Sequence, residues 1–152
     1  TTGEVHDRLA LAGAELLVRT LDLVAAGTAP RQVQDETLAT YAPSLKPDEE
    51  IIRWEQPAEV IYNQIRGLNP WPGAYTWRGG ARLKVYGARI VDRLTTGVPG
   101  QLVATTGDGF IVQTGLGQVL LTQVQPAGKK IMPAAAYLRG YPLAKGEVLG
   151  CG

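Results

Sequence analysis

Apolar residues in the first part of the chain recur at helical spacing and predict an amphipathic helix. Thr1 and Glu4 have the spacing of a capping box, which favours a helix start at the first residues. Gly27 is suited to end the helix, because glycine adopts the left-handed backbone that follows many helix C-termini. The predicted stripe comprises Val5, Leu9, Ala12, Leu16 and Val24.

Residues 28–53 contain three prolines and only weak periodicity, which predicts a linker. Pro47 and the three acidic residues after it favour one helical turn, since proline suits a first helical position and carboxylates suit a helix N-terminus. A second amphipathic helix is predicted from about Pro57 to Gly67. Its apolar face comprises Ala58, Ile61, Tyr62, Ile65 and Leu68.

The stretch GLNPWPGAYTWRGG, at 67–80, predicts a stiff elbow between this helix and the first strand. Pro70 and Pro72 fix their own φ and steer the residues before them towards extended backbone. Trp71 lies between them, and we expect it to be buried as the anchor of the elbow. We expect Trp77 to be buried as well, because tryptophan area usually goes into packing. On that expectation Trp71→Ala costs ~3 kcal/mol or more.

Beyond the elbow, short runs of alternating residues separated by glycine-rich turns predict about five strands. The stretch TGLGQ at 114–118 is a predicted hairpin turn, and Pro133 and Gly140 bound a predicted short helix. The sequence therefore predicts an α+β fold: an N-terminal helix and linker, then a small OB-like (Greek-key) β-barrel with short flanking helices. An SH3-like barrel is the second candidate.

The net charge of +1 conceals a division between the two halves. Residues 1–65 carry five Lys/Arg and eleven Asp/Glu, a balance of −6, whereas residues 66–152 carry ten and three, a balance of +7. The sign changes at the predicted elbow. Such asymmetry points to a polyanionic partner for the basic half, although a merely solvated basic surface accounts for it about equally well.

Several classes of protein are disfavoured by composition. The chain has neither a run of ~18 apolar residues nor the charged start and apolar core of a signal peptide, so we expect a soluble, intracellular protein. Cys151 is the single cysteine, which excludes a disulfide framework and fits a reducing compartment. Because the first residue is threonine, we expect the chain to be a piece of something longer.

The search for catalytic groups is largely negative. His6 is the single histidine, and its place in the first turns of a helix favours a surface or packing role. TGLGQ lacks the lysine and the following helix of a phosphate loop. The acids at 48–50 indicate a helix start more than a paired-carboxylate site, because no apolar setting separates their pKa values.

Basic residues offer a binding surface instead. Pro126, Ala127 and Gly128 predict a turn that presents Lys129 and Lys130 side by side. Two lysines on a turn can equally be a solubilising loop. Further cations on nearby elements strengthen the case for a basic surface: Arg78, Arg82, Lys84 and Arg139.

Seven segments resemble, in chain order, the C-terminal part of the methionyl-tRNA formyltransferase family. They are TTGEVHDRLA, QDETLATYAPSL, Trp54, IRGLNPWPGAY, LKVYGA, VPGQ and QPAGKKIM. The resemblance covers essentially the whole chain. Relatives that act on amino sugars or on formyl-folate share the NPWPGA segment, whereas we do not expect QPAGKK in them. The resemblance implies a remnant of the catalytic domain at 1–30, a linker at 31–56 and an OB-like tRNA-binding domain at 57–152.

The resemblance also implies what this chain lacks. In the family an Asn-x-His pair and a later aspartate carry out formyl transfer, and both lie upstream of this chain. We therefore expect the chain alone to be inactive and to bind no cofactor, with 10-formyltetrahydrofolate as the formyl donor of the parent enzyme. The implied partners are initiator methionyl-tRNA and the missing catalytic domain, without a membrane. The implied setting is cytoplasmic, with a bacterium as the first source and an organelle as the second.

If the chain is a tRNA-binding domain, charge and position predict six phosphate contacts: Arg66, Arg78, Arg82, Lys84, Lys129 and Lys130. The alternative is an accessory or interface domain of a non-tRNA formyltransferase, in which the basic face packs on protein or has no ligand.

Overall fold

The computed structural model describes residues 1–92 and 94–150, so Cys151 lies outside the described residues. The chain forms two compact units, one of residues 3–45 and one of residues 46–152 together with the first two residues. The sheet and its associated helices belong to the second unit, which also takes in residues 46–56 of the predicted linker.

The first unit is mainly one helix, α1 (Thr2–Ala25), as the apolar stripe predicts. Gly27 follows it with φ +73°, and the N–H of Thr28 donates to the carbonyl of Leu23 at 2.9 Å, closing the end in the way expected of a glycine cap. No residue of α1 is buried. A short 3-10 turn at Glu36–Leu38, capped by the Asp35 side chain, is the one helical turn described in the rest of this unit.

The second unit begins with the turn predicted at Pro47. Residues Pro47–Glu50 form a 3-10 turn, and the Glu49 carboxylate accepts a hydrogen bond from the Lys46 N–H at 2.6 Å. Glu49 therefore caps this turn, and all three acids at 48–50 lie within it, as expected of a helix start. Helix α2 (Ala58–Gly67) follows and buries Ala58, Ile61 and Ile65 on the predicted face.

Within the described residues, five strands and a two-residue sixth follow α2. They are β1 (Tyr75–Arg78), β2 (Ala81–Asp92), β3 (Leu102–Thr106), β4 (Gly109–Gln113), β5 (Gln118–Pro126) and β6 (Met132–Pro133). Helix α3 (Ala134–Gly140) begins after Pro133, where the sequence predicts it. The turn at 114–117 joins β4 to β5, which confirms the interpretation of TGLGQ as a hairpin turn.

All strand pairs are antiparallel, in the order β1-β2-β5-β4-β3, with β6 paired to β5. Strands β3, β4 and β5 form a meander, and β2 lies beside β5 across a long connection, which is a Greek-key arrangement. The α+β class is thus confirmed. Closure into an OB-like barrel stays a prediction.

Trp54, rather than Trp71, is the tryptophan at the centre of the core. Its side chain is 2% exposed, and its indole N–H donates to the Thr76 hydroxyl at 2.9 Å. The N–H of Gly115 donates to the Trp54 carbonyl at 2.8 Å, and a Cβ at Gly115 would collide with the backbone of Glu55. The segment around Trp54 is therefore fixed to both β1 and the β4–β5 turn.

The predicted anchoring role of Trp71 is wrong, because its side chain is 58% exposed. Backbone and polar contacts hold the elbow instead. The Asn69 amide donates to the Tyr86 carbonyl at 2.6 Å, and the Gly73 N–H donates to the carbonyl of the buried Leu68 at 2.9 Å. Leu68 supplies the apolar anchor, while Trp77 is half-buried on β1.

Candidate nucleic-acid interface

One face of the β1–β2 hairpin combines the buried Tyr75 and the half-buried Trp77 with an exposed arginine. Register places Trp77 opposite Arg82 and Tyr75 opposite Lys84, so these four side chains share one face of the sheet. The Arg82 guanidinium lies 4.6 Å from the Tyr75 ring centroid and 5.4 Å from that of Trp77. Cation–π attraction therefore orients this exposed arginine.

The Arg82 guanidinium makes no hydrogen bond or ion pair within the part of the chain that the structure describes. The five N–H donors of Arg82 are available to an external acceptor. The Tyr75 and Trp77 rings hold the guanidinium in place. Such a group binds phosphate bidentately at little entropic cost.

Arg78, one register position nearer the turn of the same hairpin, is committed to the protein. Its Nε donates to Glu147 at 2.7 Å, and its two terminal nitrogens donate to the Tyr137 hydroxyl at 2.7 Å and to the Pro142 carbonyl at 2.8 Å. The Arg78 and Glu147 side chains are 17% and 30% exposed. Arg78 thus ties the segment after α3 to the sheet.

The pKa values of this pair follow from the same contacts. Burial lowers the pKa of the Arg78 guanidinium, yet hydrogen bonds to Glu147 and Tyr137 outweigh that effect and leave it above its ordinary value. The hydrogen bond from Arg78 holds the pKa of the Glu147 carboxyl below its usual range. Both groups are therefore charged at neutral pH.

Lys129 and Lys130 occupy the exposed turn that the sequence predicts between β5 and β6. Gly128 has φ +70°, the Lys129 N–H donates to the Pro126 carbonyl at 3.1 Å, and the Gln125 amide donates to the Lys129 carbonyl at 2.8 Å. Pro126 lies opposite Leu83 in the sheet, so this turn begins beside Arg82.

An open cleft of 380 Å³ lies between the hairpin, the β5–β6 turn and the end of α3. Its lining includes Arg78, Arg82, Ala127, Tyr137, Tyr141 and Glu147. The two tyrosines and Glu147 were not singled out from the sequence. The one available signal was the four-residue spacing of Tyr137 and Tyr141, which places two aromatics on one side of a helix end.

The remaining candidates lie apart from the cleft. The Lys84 ammonium donates to the Pro72 carbonyl at 2.6 Å, which leaves it further donors beside the elbow. Arg66 lies exposed on α2, with its guanidinium 5.1 Å from the Tyr62 ring.

Catalytic and metal chemistry find little support among the described residues. His6 is exposed, with its Nδ1 3.1 Å from the Asp7 carboxylate. Across 1–92 and 94–150, no three His, Cys, Asp or Glu side chains come together in a way that could hold a metal ion. In the same ranges no helix is both long and apolar enough to cross a membrane.

Among known protein families, the formyl transferase C-terminal domain family matches residues 44–142 of the chain. The chain belongs to this family. Its match includes all six nominated basic residues and Tyr141, and it starts close to Lys46, where the second compact unit begins.

Curated relatives extend this family assignment over the whole chain. The methionyl-tRNA formyltransferase of Moorella thermoacetica is 67% identical over 99% of this chain and 49% of its own length. That of Bacillus subtilis is 46% identical over 97% of this chain and 47% of its own length. The chain thus spans about half the length of the curated relatives it matches.

Solved structures agree on the fold. HypX from Aquifex aeolicus in complex with tetrahydrofolic acid matches with a TM-score of 0.66 and 18% identity, over 91% of this chain and 26% of its own. A multiply substituted HypX variant matches with a TM-score of 0.68 and 19% identity, over 86% and 24%. At this identity the likeness shows a shared fold.

Proposed function

We propose that this chain is the C-terminal, tRNA-binding portion of a methionyl-tRNA formyltransferase. The observation that carries the proposal is the cation set of Arg82, Lys129 and Lys130, which lies at one end of β2 and β5 with its donors facing outward. Relatives that match 97% or more of the chain are named methionyl-tRNA formyltransferase, and the substrate in that name is a polyanion.

Phosphate binding is the chemistry that these residues suit. Each cation that neutralises a phosphate releases condensed counterions, which favours association at low salt. Lys84 and Arg66 are further cations that lie apart from the cleft. Arg78 supports the surface as a positioning residue, because its three nitrogens already donate to protein acceptors.

The rest of the parent enzyme would supply the reaction. In this proposal 10-formyltetrahydrofolate and the catalytic groups belong to the other half of a cytoplasmic enzyme, and this half holds initiator methionyl-tRNA. Residues 1–30 would complete the catalytic domain, with 31–56 as the linker and 57–152 as the OB-like domain. The exposed apolar side chains of α1 support that assignment. An apolar helix face that is not buried within this chain is suited to pack against another part of the parent enzyme.

An accessory domain of a non-tRNA formyltransferase is the less favoured reading. It provides no reason for Arg82 to be held on two rings with its donors unpaired, and neither curated relative described above bears such a name.

Salt titration tests the proposal. Binding of the chain to initiator tRNA, an elongator tRNA and heparin is measured by fluorescence anisotropy from low to physiological salt. In Lys129→Ala/Lys130→Ala, the slope of log K against log salt should fall by roughly 0.7 to 0.9 for each lysine, equally for both tRNAs.

A charge-matched control is Arg8→Ala/Arg19→Ala, which removes two exposed cations from α1. It should leave the slope for tRNA unchanged. Equal slopes in the wild type and the lysine variant would exclude the lysines from the interface, and equal affinity for tRNA and heparin would refute a tRNA-binding role.

A further inference from the structure

Tyr141 is an exposed aromatic residue in a fixed orientation at the cleft. Its N–H donates to the Tyr137 carbonyl at 2.9 Å, and its ring stacks on that of Tyr137 with centroids 5.0 Å apart and an interplanar angle of 18°. Tyr137 is itself buried, with Phe110 at 6.4 Å and the Arg78 guanidinium at 5.5 Å. The supporting ring is therefore held by the core.

The stack leaves one face of Tyr141 for an external ring. The side chain is 44% exposed, and Tyr137 covers the opposite face. Both tyrosines line the cleft together with Arg82. The 380 Å³ volume lies within the roughly 300–1,000 Å³ of small-ligand sites.

The charges in the cleft also suit a nucleotide. Glu147 would repel a phosphate, but Arg78 neutralises it at 2.7 Å. Arg82 remains as the cation with unpaired donors in the cleft, and Lys129 and Lys130 follow on the adjoining turn. The cleft therefore pairs an aromatic platform with an anion-binding fork.

We propose that this cleft is a subsite for one unpaired nucleobase of RNA, which stacks on the open face of Tyr141 while Arg82 binds a neighbouring phosphate. The proposal rests on the proposed function and deepens it: the interface would engage an unstacked base as well as backbone phosphates. Proteins commonly recognise single-stranded RNA in this way, because every base offers a π-face.

The test compares two RNA hexamers of equal charge, oligoadenylate and its abasic counterpart, by anisotropy with the full 152-residue chain. The wild type should bind oligoadenylate more tightly by about 5- to 150-fold, the range expected of one stacked base. Tyr141→Ala should remove most of that preference without changing the salt slope, whereas Tyr141→Phe should keep it.

Tyr41→Ala is the matched control, because Tyr41 is 91% exposed and lies in the first compact unit. Circular dichroism verifies that each variant is folded, and Tyr141→Phe retains the stack on Tyr137 in any case. An equal base preference in wild type and Tyr141→Ala overturns the subsite. Steep salt dependence without any base preference also overturns the subsite alone, whereas no RNA binding at all refutes the proposed function together with it.

Discussion

Arg78 and Arg82 lie on the same hairpin, four residues apart, yet one faces inward to a network and the other outward to solvent. Arg78 donates from all three nitrogens to protein acceptors, whereas Arg82 rests on two aromatic rings with its donors unpaired in the described structure. Trp54 and Trp71 show the same contrast, at 2% and 58% exposed. Residue type alone therefore does not say whether an arginine or tryptophan here is structural or exposed. The neighbouring groups that each side chain can contact decide it.

The tryptophans give the largest expected difference. Trp54→Ala should lower the free energy of unfolding by about 3–5 kcal/mol, since it leaves a cavity in the core and removes the donor to Thr76. Trp71→Ala should cost less than about 1 kcal/mol, as most of that side chain is already in water. Urea denaturation of both variants measures the comparison, and a greater loss for Trp71→Ala would restore it as the anchor.

The arginines should differ by a smaller amount. Arg78→Met removes a donor set shared by Glu147, Tyr137 and a backbone carbonyl, and we expect a loss of about 2–3 kcal/mol because partly buried acceptors lose their partner. Arg82→Met should cost less than about 1 kcal/mol, because cation–π contacts at exposed sites are weak.

Thermal unfolding and tRNA affinity distinguish the two arginines, because we expect the larger stability loss at Arg78 and the larger affinity loss at Arg82. Arg82→Met should weaken tRNA binding at nearly wild-type stability. Arg78→Met should lower the melting temperature more than Arg82→Met does. At temperatures where the Arg78→Met variant is folded, it should bind tRNA with nearly wild-type affinity. Equal effects of the two substitutions on stability would remove the distinction between a positioning residue and a contact residue.

Local sequence signals account for the fold better than for the site. The Pro47 turn, α2 with its buried face, the 114–117 hairpin turn and the Pro133 start of α3 all depend on residues a few positions apart, and each was predictable. Arg78 and Glu147 are 69 residues apart. Their pairing depends on how the segment after α3 returns to β1, which periodicity does not encode.

The prediction that Trp71 anchors the elbow was wrong for a related reason. Two prolines correctly indicate a stiff turn, but stiffness does not say which side of the turn faces the core. Leu68, at 5% exposed, is the residue that the elbow buries, whereas Trp71 is 58% exposed. The Lys129–Lys130 turn was predictable because Gly128 and its neighbours fix it locally, whereas its closeness to Arg82 required the β2–β5 register.

The smallest effect in this comparison is the pH dependence of the Arg78–Glu147 contact. The folded-state pKa of Glu147 is lowered, chiefly by the hydrogen bond from Arg78. A carboxyl with a lowered folded pKa contributes stability that is fully present above its unfolded value of about 4.3 and is lost as pH falls through the folded pKa. Wild type should therefore lose stability on acidification below about pH 4.3.

Glu147→Gln isolates this contribution, because it keeps the side-chain shape and an oxygen acceptor but cannot titrate. At pH 7 the variant should be less stable than wild type, and the gap should narrow steadily as pH falls through the folded pKa of Glu147. Asp108→Asn is the control, since Asp108 lies 3.5 Å from Arg89 in an exposed pair and should alter the profile little. A gap of constant size across the acid range would mean that Glu147 stabilises the segment after α3 through shape and neutral hydrogen bonds, and the charge on Arg78 would then be irrelevant to its inward role.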